Sequence, residues 1–154
     1  MRISLLLLAS FLLTGGVPPA TNPSCVASDD EQAATLTIHV IDLRNRKGTL
    51  LFQVFATEKG FPTDSRNAVC AHVRPADTDR VEFTCRLPPG QYAASVLHDE
   101  NGNGQMDRNL FGIPREGYGV TNNPKPRFRA ATFREALFNL PPEGASLTIS
   151  LQYF

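Results

Sequence analysis

The chain has no tryptophan, so ten Phe and three Tyr must supply the large side chains of any core. Net charge is missing too: Lys+Arg and Asp+Glu both number 15. With no basic excess or stripe, an electrostatic nucleic-acid footprint is excluded. Beyond the first thirteen residues there is no apolar run near the roughly 20 residues that a membrane helix needs. Gly-x-Ser-x-Gly, His-Glu-x-x-His, a phosphate loop and Cys-x-x-Cys are all absent. No ready-made nucleophile or zinc-hydrolase constellation can therefore be read from spacing.

What is present suits one exported domain. The 154 residues, 42% of them hydrophobic, are enough for a single core. Met1-Arg2 followed by the apolar residues 3–13 is the pattern of a secretory signal and too short to span a bilayer. We expect a signal peptide over 1–20, with cleavage between Val17 and Ser28, and a disordered leader over 21–34. The domain proper is expected over 35–154. The destination is periplasmic or extracellular, with no membrane span in the mature chain.

Twelve Pro and eleven Gly favour short strands over long helices. Leu36, Ile38 and Val40 alternate with polar residues, and residues 49–56 return as a more buried strand. His39 falls on the polar side and reads as a solvated strand residue. Residues 58–67 form a loop in which Phe61 plugs one end of the core. Residues 68–74 and 80–87 read as a hairpin, and 91–98 follow a Pro-Pro-Gly turn. Residues 133–140 and 146–153 complete seven strands, the pattern of an all-β sandwich. The expected core holds Ile38, Val40, Phe52, Val54, Val81, Phe83, Val96, Phe138 and Ile149, with no helix longer than about three turns. Between strands, 108–132 is a long irregular stretch, for which Phe111, Ile113, Tyr118 and Phe128 are the candidate anchors.

The stretch from His98 to Asp107 draws most attention. Oxygen-bearing side chains recur at Asp99, Asn101 and Asn103, Gly104 follows, and Asp107 closes the series. A Ca²⁺ loop takes oxygens from positions 1, 3 and 5, a carbonyl from 7 and a contact from 9, with Gly at 6 for the sharp turn. Asp99, Asn101, Asn103, Gln105 and Asp107 are thus the expected calcium ligands. Position 12, where a bidentate Glu would stand, is Leu110. Glu116, Asn122 and Asn123 are possible distant ligands. The bland alternative is an Asx/Gly turn with no ion.

Three cysteines occur, at 25, 70 and 85. An exported domain is expected to oxidise a pair, and Cys70–Cys85 is favoured. Side-chain parity opposes it on a hairpin, because Val69 and Val73 read as inward while Cys85 also reads as inward. His98 beside Asp99 is a conceivable general base. Neighbouring strand residues point to opposite faces, however, so adjacency does not orient one on the other.

Residues 87–92 (LPPGQY), 98–107 (HDENGNGQMD) and 111–119 (FGIPREGYG), with Thr121-Asn122-Asn123 and Gly60-Phe61-Pro62, are similar to the exported bacterial DUF2141 family. The similarity extends over roughly 35–153. It implies a Greek-key, prealbumin-like form of the seven-stranded sandwich, and no known activity. The leading expectation is a non-catalytic exported module with a structural calcium loop, binding an unknown protein or glycan through 108–132. The alternatives are a small periplasmic hydrolase built on His98 and nearby carboxylates, or a transthyretin-like carrier of a small molecule. Clustering of His98, Asp99, Glu116 and Tyr118 around an open pocket would favour the enzyme.

Overall fold

The computed structural model describes residues 32–125 and 129–154. The expected signal peptide, most of the leader, Cys25 and the anchor Phe128 lie outside the described residues. Within them the regular structure is almost all strand: β1 (Ala34–Ile41), β2 (Thr49–Phe55), β3 (Cys70–Pro75), β4 (Val81–Leu87), β5 (Gly90–Asp99), β6 (Gly117–Val120), β7 (Phe138–Leu140) and β8 (Ala145–Ser150). One helical turn, α1 (Phe133–Ala136), precedes β7.

The strands form two sheets, in the orders β4-β1-β8 and β3-β2-β5-β6, with β7 pairing the start of β5. All pairings are antiparallel except that of β1 with β8. Period-two alternation sends Leu36, Ile38 and Val40 inward from β1 against Leu50, Phe52 and Val54 of β2. Phe52 stacks on Phe83 across this core at 4.9 Å between centroids. All nine residues expected in the core are buried.

Three expectations about strands need correction, the first being their number: β6 falls inside the supposedly irregular 108–132, which makes eight strands among the described residues rather than seven. Residues 68–74 and 80–87 are not a hairpin, for β3 and β4 lie at the edges of different sheets. The parity conflict then vanishes, because Val69 and Val73 point outward while Cys70 and Cys85 are both buried and joined by a disulfide. Residues 133–140 are not one strand either. Thr132 and Glu135 form a reciprocal capping box that starts α1, and only three residues remain for β7.

The opposite seam of the sandwich is closed by backbone. Tyr118, on β6, exchanges both hydrogen bonds with Gln152, just beyond β8, at 3.0 and 2.8 Å. This approach requires glycine at 117, because a Cβ there would overlap the ring of Tyr153.

Part of the outer face of the five-stranded sheet is also covered. Ala93 and Val120 pack under Ala131 and Ala136, with Phe61 and Phe133 alongside. Phe61 makes edge contacts with both Phe55 and Phe133, so it packs in this outer cluster rather than plugging the end of the inter-sheet core. Thr121 is fully buried there, accepting from the Ala94 amide and donating to the Ala136 carbonyl.

Candidate functional site

The expected ligand loop leaves β5 at Asp99 and is held from three directions. The β1–β2 turn braces its base. Arg44 Nε and Asn45 Nδ2 donate to the two oxygens of Glu100 at 2.8 and 3.1 Å. Burial would raise the Glu100 carboxyl, but these hydrogen bonds outweigh it and hold the group below its ordinary range. Glu116 clamps the second side. One of its oxygens accepts from the Glu100 amide at 3.0 Å and the other from the Asp107 amide at 3.1 Å, so one buried side chain ties both ends of the loop.

Asp99 holds the interior. Its side chain is 1% exposed and accepts from the backbone amides of Gly102, Asn103 and Gly104 at 2.7, 3.2 and 2.7 Å. The side-chain amides of Asn101 and Asn103 donate to different oxygens of Asp107, at 2.6 and 2.9 Å, so these three side chains form one hydrogen-bonded unit. The oxygens of the same two side chains accept from the Asn103 and Gln105 backbone amides, so turning them toward a hard cation beside Asp107 would break both hydrogen bonds. Oxygen donors are the kind calcium takes, but those of Asp99, Asn101 and Asn103 are engaged by backbone amides of the loop itself.

The wider ligand set does not assemble. Leu110 is wholly exposed at the tip of a small hairpin, closed by the Arg108–Pro114 bridge, and so leaves position 12 without an oxygen. Asn122 donates to the carbonyls of Glu135 and Leu137, while Asn123 bonds Thr148 and Ser150. Both are turn residues with positive φ after β6 rather than ligands of this loop. Among the described residues, three His, Cys, Asp or Glu ligand atoms come within 4.8 Å of one another only at Cys70, His72 and Cys85. Two of those three are the disulfide sulfurs. Asp99, Asp107 and Glu116 therefore do not close into a carboxylate triad.

His98 turns the other way. It shares the inward face of β5 with Tyr92, Ala94 and Val96, and is 0% exposed. Nε2 lies 2.8 Å from the Lys47 carbonyl, which can only accept, so that nitrogen carries the proton. In the neutral ring Nδ1 then accepts from the Tyr153 hydroxyl at 2.7 Å. The same hydroxyl accepts from the Arg44 amide, and the Arg44 guanidinium lies 4.7 Å above the Tyr153 ring. Burial pushes the Tyr153 hydroxyl up. Tyr118, by contrast, pairs with Leu97 rather than His98 and so faces outward. His98, Asp99, Glu116 and Tyr118 do not surround one pocket.

With this geometry in hand, comparison with known proteins adds one result. A family described as an uncharacterized protein conserved in bacteria, DUF2141, matches residues 38–149. The chain belongs to the DUF2141 family. No curated protein and no solved structure matches it.

The matched span includes the 99–107 loop, Glu116 and His98, and stops short of Tyr153. Sequence reasoning missed the clamp and Tyr153. In the sequence Glu116 is one acid in a Gly-rich run, and Tyr153 stands 55 residues from His98. The one signal was the alternation that sets Leu147, Ile149, Leu151 and Tyr153 on one face of the last expected strand.

Proposed function

We propose that this DUF2141 chain is an exported, non-catalytic β-sandwich module whose 99–107 loop binds calcium structurally. The Greek-key, prealbumin-like arrangement is part of the same reading, supported by the two sheet orders. The observation that carries it is the division of labour between neighbours. Asp99 faces the loop and organises its amides, while His98 is sealed inside the sandwich with both ring nitrogens engaged. A hydrolase would need that imidazole in reach of a substrate and its carboxylate neighbour. Export is supported by the signal-like N-terminus and by a disulfide of the kind that persists in oxidising compartments.

Calcium would be held by Asp99, Asn101, Asn103, the Gln105 carbonyl and Asp107, its charge replacing the hydrogen bonds that Asn101 and Asn103 give Asp107. What it would steady is the hairpin that follows. Leu110, Phe111 and Ile113 are exposed there, an apolar tip suited to a protein or glycan partner. Calorimetric titration of the chelator-treated mature protein with Ca²⁺ tests the reading. One weak site, with Mg²⁺ a poor substitute, is the expected result. No heat with either ion would remove calcium from the proposal.

A further inference from the structure

The outer face of the five-stranded sheet carries a second feature, bordered on one side by the 99–107 loop. A cavity of about 1120 Å³ opens between the sheet and the 104–114 segment. Leu51, Leu97 and Tyr118 form its floor, and Phe111 and Ile113 are on its wall. Phe154 closes one side, stacked on Tyr118 with 5.9 Å between ring centroids. The volume slightly exceeds the range of small-molecule sites, which combine an apolar lining with a few placed polar groups.

One polar group stands out on this lining. Gln53 is central in β2 and faces outward, between Leu51 and Phe55 on that face. It is only 9% exposed, and its Oε1 is buried with no hydrogen-bond partner among the described residues. Its cross-strand neighbour Ser95 does not help, because the Ser95 hydroxyl donates to the Pro62 carbonyl at 2.7 Å. A buried carbonyl oxygen without a donor destabilises the fold, and an apolar residue at 53 would remove that cost. At the mouth, Arg129 is paired with Glu135, whereas Arg108 bonds only the Gly112 carbonyl and has no carboxylate partner among the described residues. A positive mouth disfavours a cationic occupant.

We infer that the cavity binds a small, predominantly apolar, non-cationic molecule that presents one N–H or O–H group to Gln53. The terminal torsion of a glutamine is soft, so the amide can turn its oxygen toward the ligand without moving the strand. The apolar walls supply affinity, and the amide selects for the donor. A site with an otherwise unpaired acceptor discriminates against a ligand that lacks the matching donor.

Two probes of nearly the same shape test this: 2-naphthol, which carries an O–H, and 2-methoxynaphthalene, which does not. Binding is followed by fluorescence on the full mature chain. Wild type should hold the naphthol about tenfold more tightly than its ether. Gln53→Leu should bind both equally and melt no lower than wild type, since it replaces an unpartnered amide with an apolar side chain. Phe111→Ala, at a position 87% exposed and thus safe for folding, should weaken both probes severalfold. Absence of binding by either probe to wild type would overturn the inference. So would a naphthol preference that survives Gln53→Leu, or binding indifferent to Phe111→Ala.

Discussion

Cys70 and Cys85 are bonded across the gap between the two sheets, with their Cα atoms 6.8 Å apart. The bond joins edge strand β3 of one sheet to edge strand β4 of the other. The Tyr118–Gln152 backbone pair closes the opposite seam, so each open side of the sandwich is pinned. One pin is covalent and the other is two hydrogen bonds.

The covalent pin should matter for stability. The cysteines are 15 residues apart, and closing a loop of that length restricts the unfolded chain by about 3 kcal/mol. The double variant Cys70→Ser/Cys85→Ser should lose about 2–4 kcal/mol in urea unfolding. Reductant should destabilise wild type and leave the double variant unchanged. Peptide mapping without reduction should recover the 70–85 pair.

Asp99 should act on stability twice. At roughly 2 mM Ca²⁺ and a dissociation constant near 10⁻⁴ M, linkage gives about 1.8 kcal/mol, several degrees in melting temperature. Asp99→Ala should abolish that shift. It should also melt lower in chelator, because three backbone amides lose their acceptor. Leu110→Glu should leave the calcium response unchanged, since position 110 points into solvent at the hairpin tip. Melting curves of the three proteins, with chelator and with calcium, provide the check.

The sealed imidazole makes its own prediction. Diethyl pyrocarbonate should leave His98 unmodified in native protein and react with it in urea, as mass mapping would read. Tyr153→Phe removes the hydroxyl bonded to His98 Nδ1 and should cost about 1–3 kcal/mol in urea unfolding. Rapid modification of His98 in the native wild type would contradict its burial.

Acid should act through Glu135. Hydrogen bonds from Arg129, then from Thr132, lower its carboxyl from 4.5 to about 2. A folded-state value below the unfolded one contributes stability that is present above pH 4.5 and is lost as pH falls toward 2. The stability difference between wild type and Glu135→Gln should therefore shrink over that window. Urea midpoints measured from pH 6 to pH 2 would show it, and a constant difference would mean that the carboxylate is not what the capping box stabilises.

How much of this was legible beforehand follows from the range of each interaction. Alternation in β1, β2, β4 and β5 marked which residues face inward, because a strand's period of two is a local property of the backbone. The ligand loop was visible for the same reason: its Asp, Asn and Gly residues are consecutive, and they do form one hydrogen-bonded unit. Partnership between distant segments was not local. Cys70 and Cys85 could be named as a pair, yet their strands were placed in one hairpin, since spacing says nothing about which sheet an edge strand joins. Residues 108–132 read as irregular because β6 is only four residues long and two of them are glycine. Only the packed sandwich set Glu116 against both ends of the loop, brought Tyr153 to His98, and left Gln53 facing a cavity without a donor. Sequence alone determined the sheet-forming pattern and the chemistry of the loop. Tertiary packing decided which polar groups are satisfied, because burial and hydrogen-bond partners are set by segments far apart in the chain.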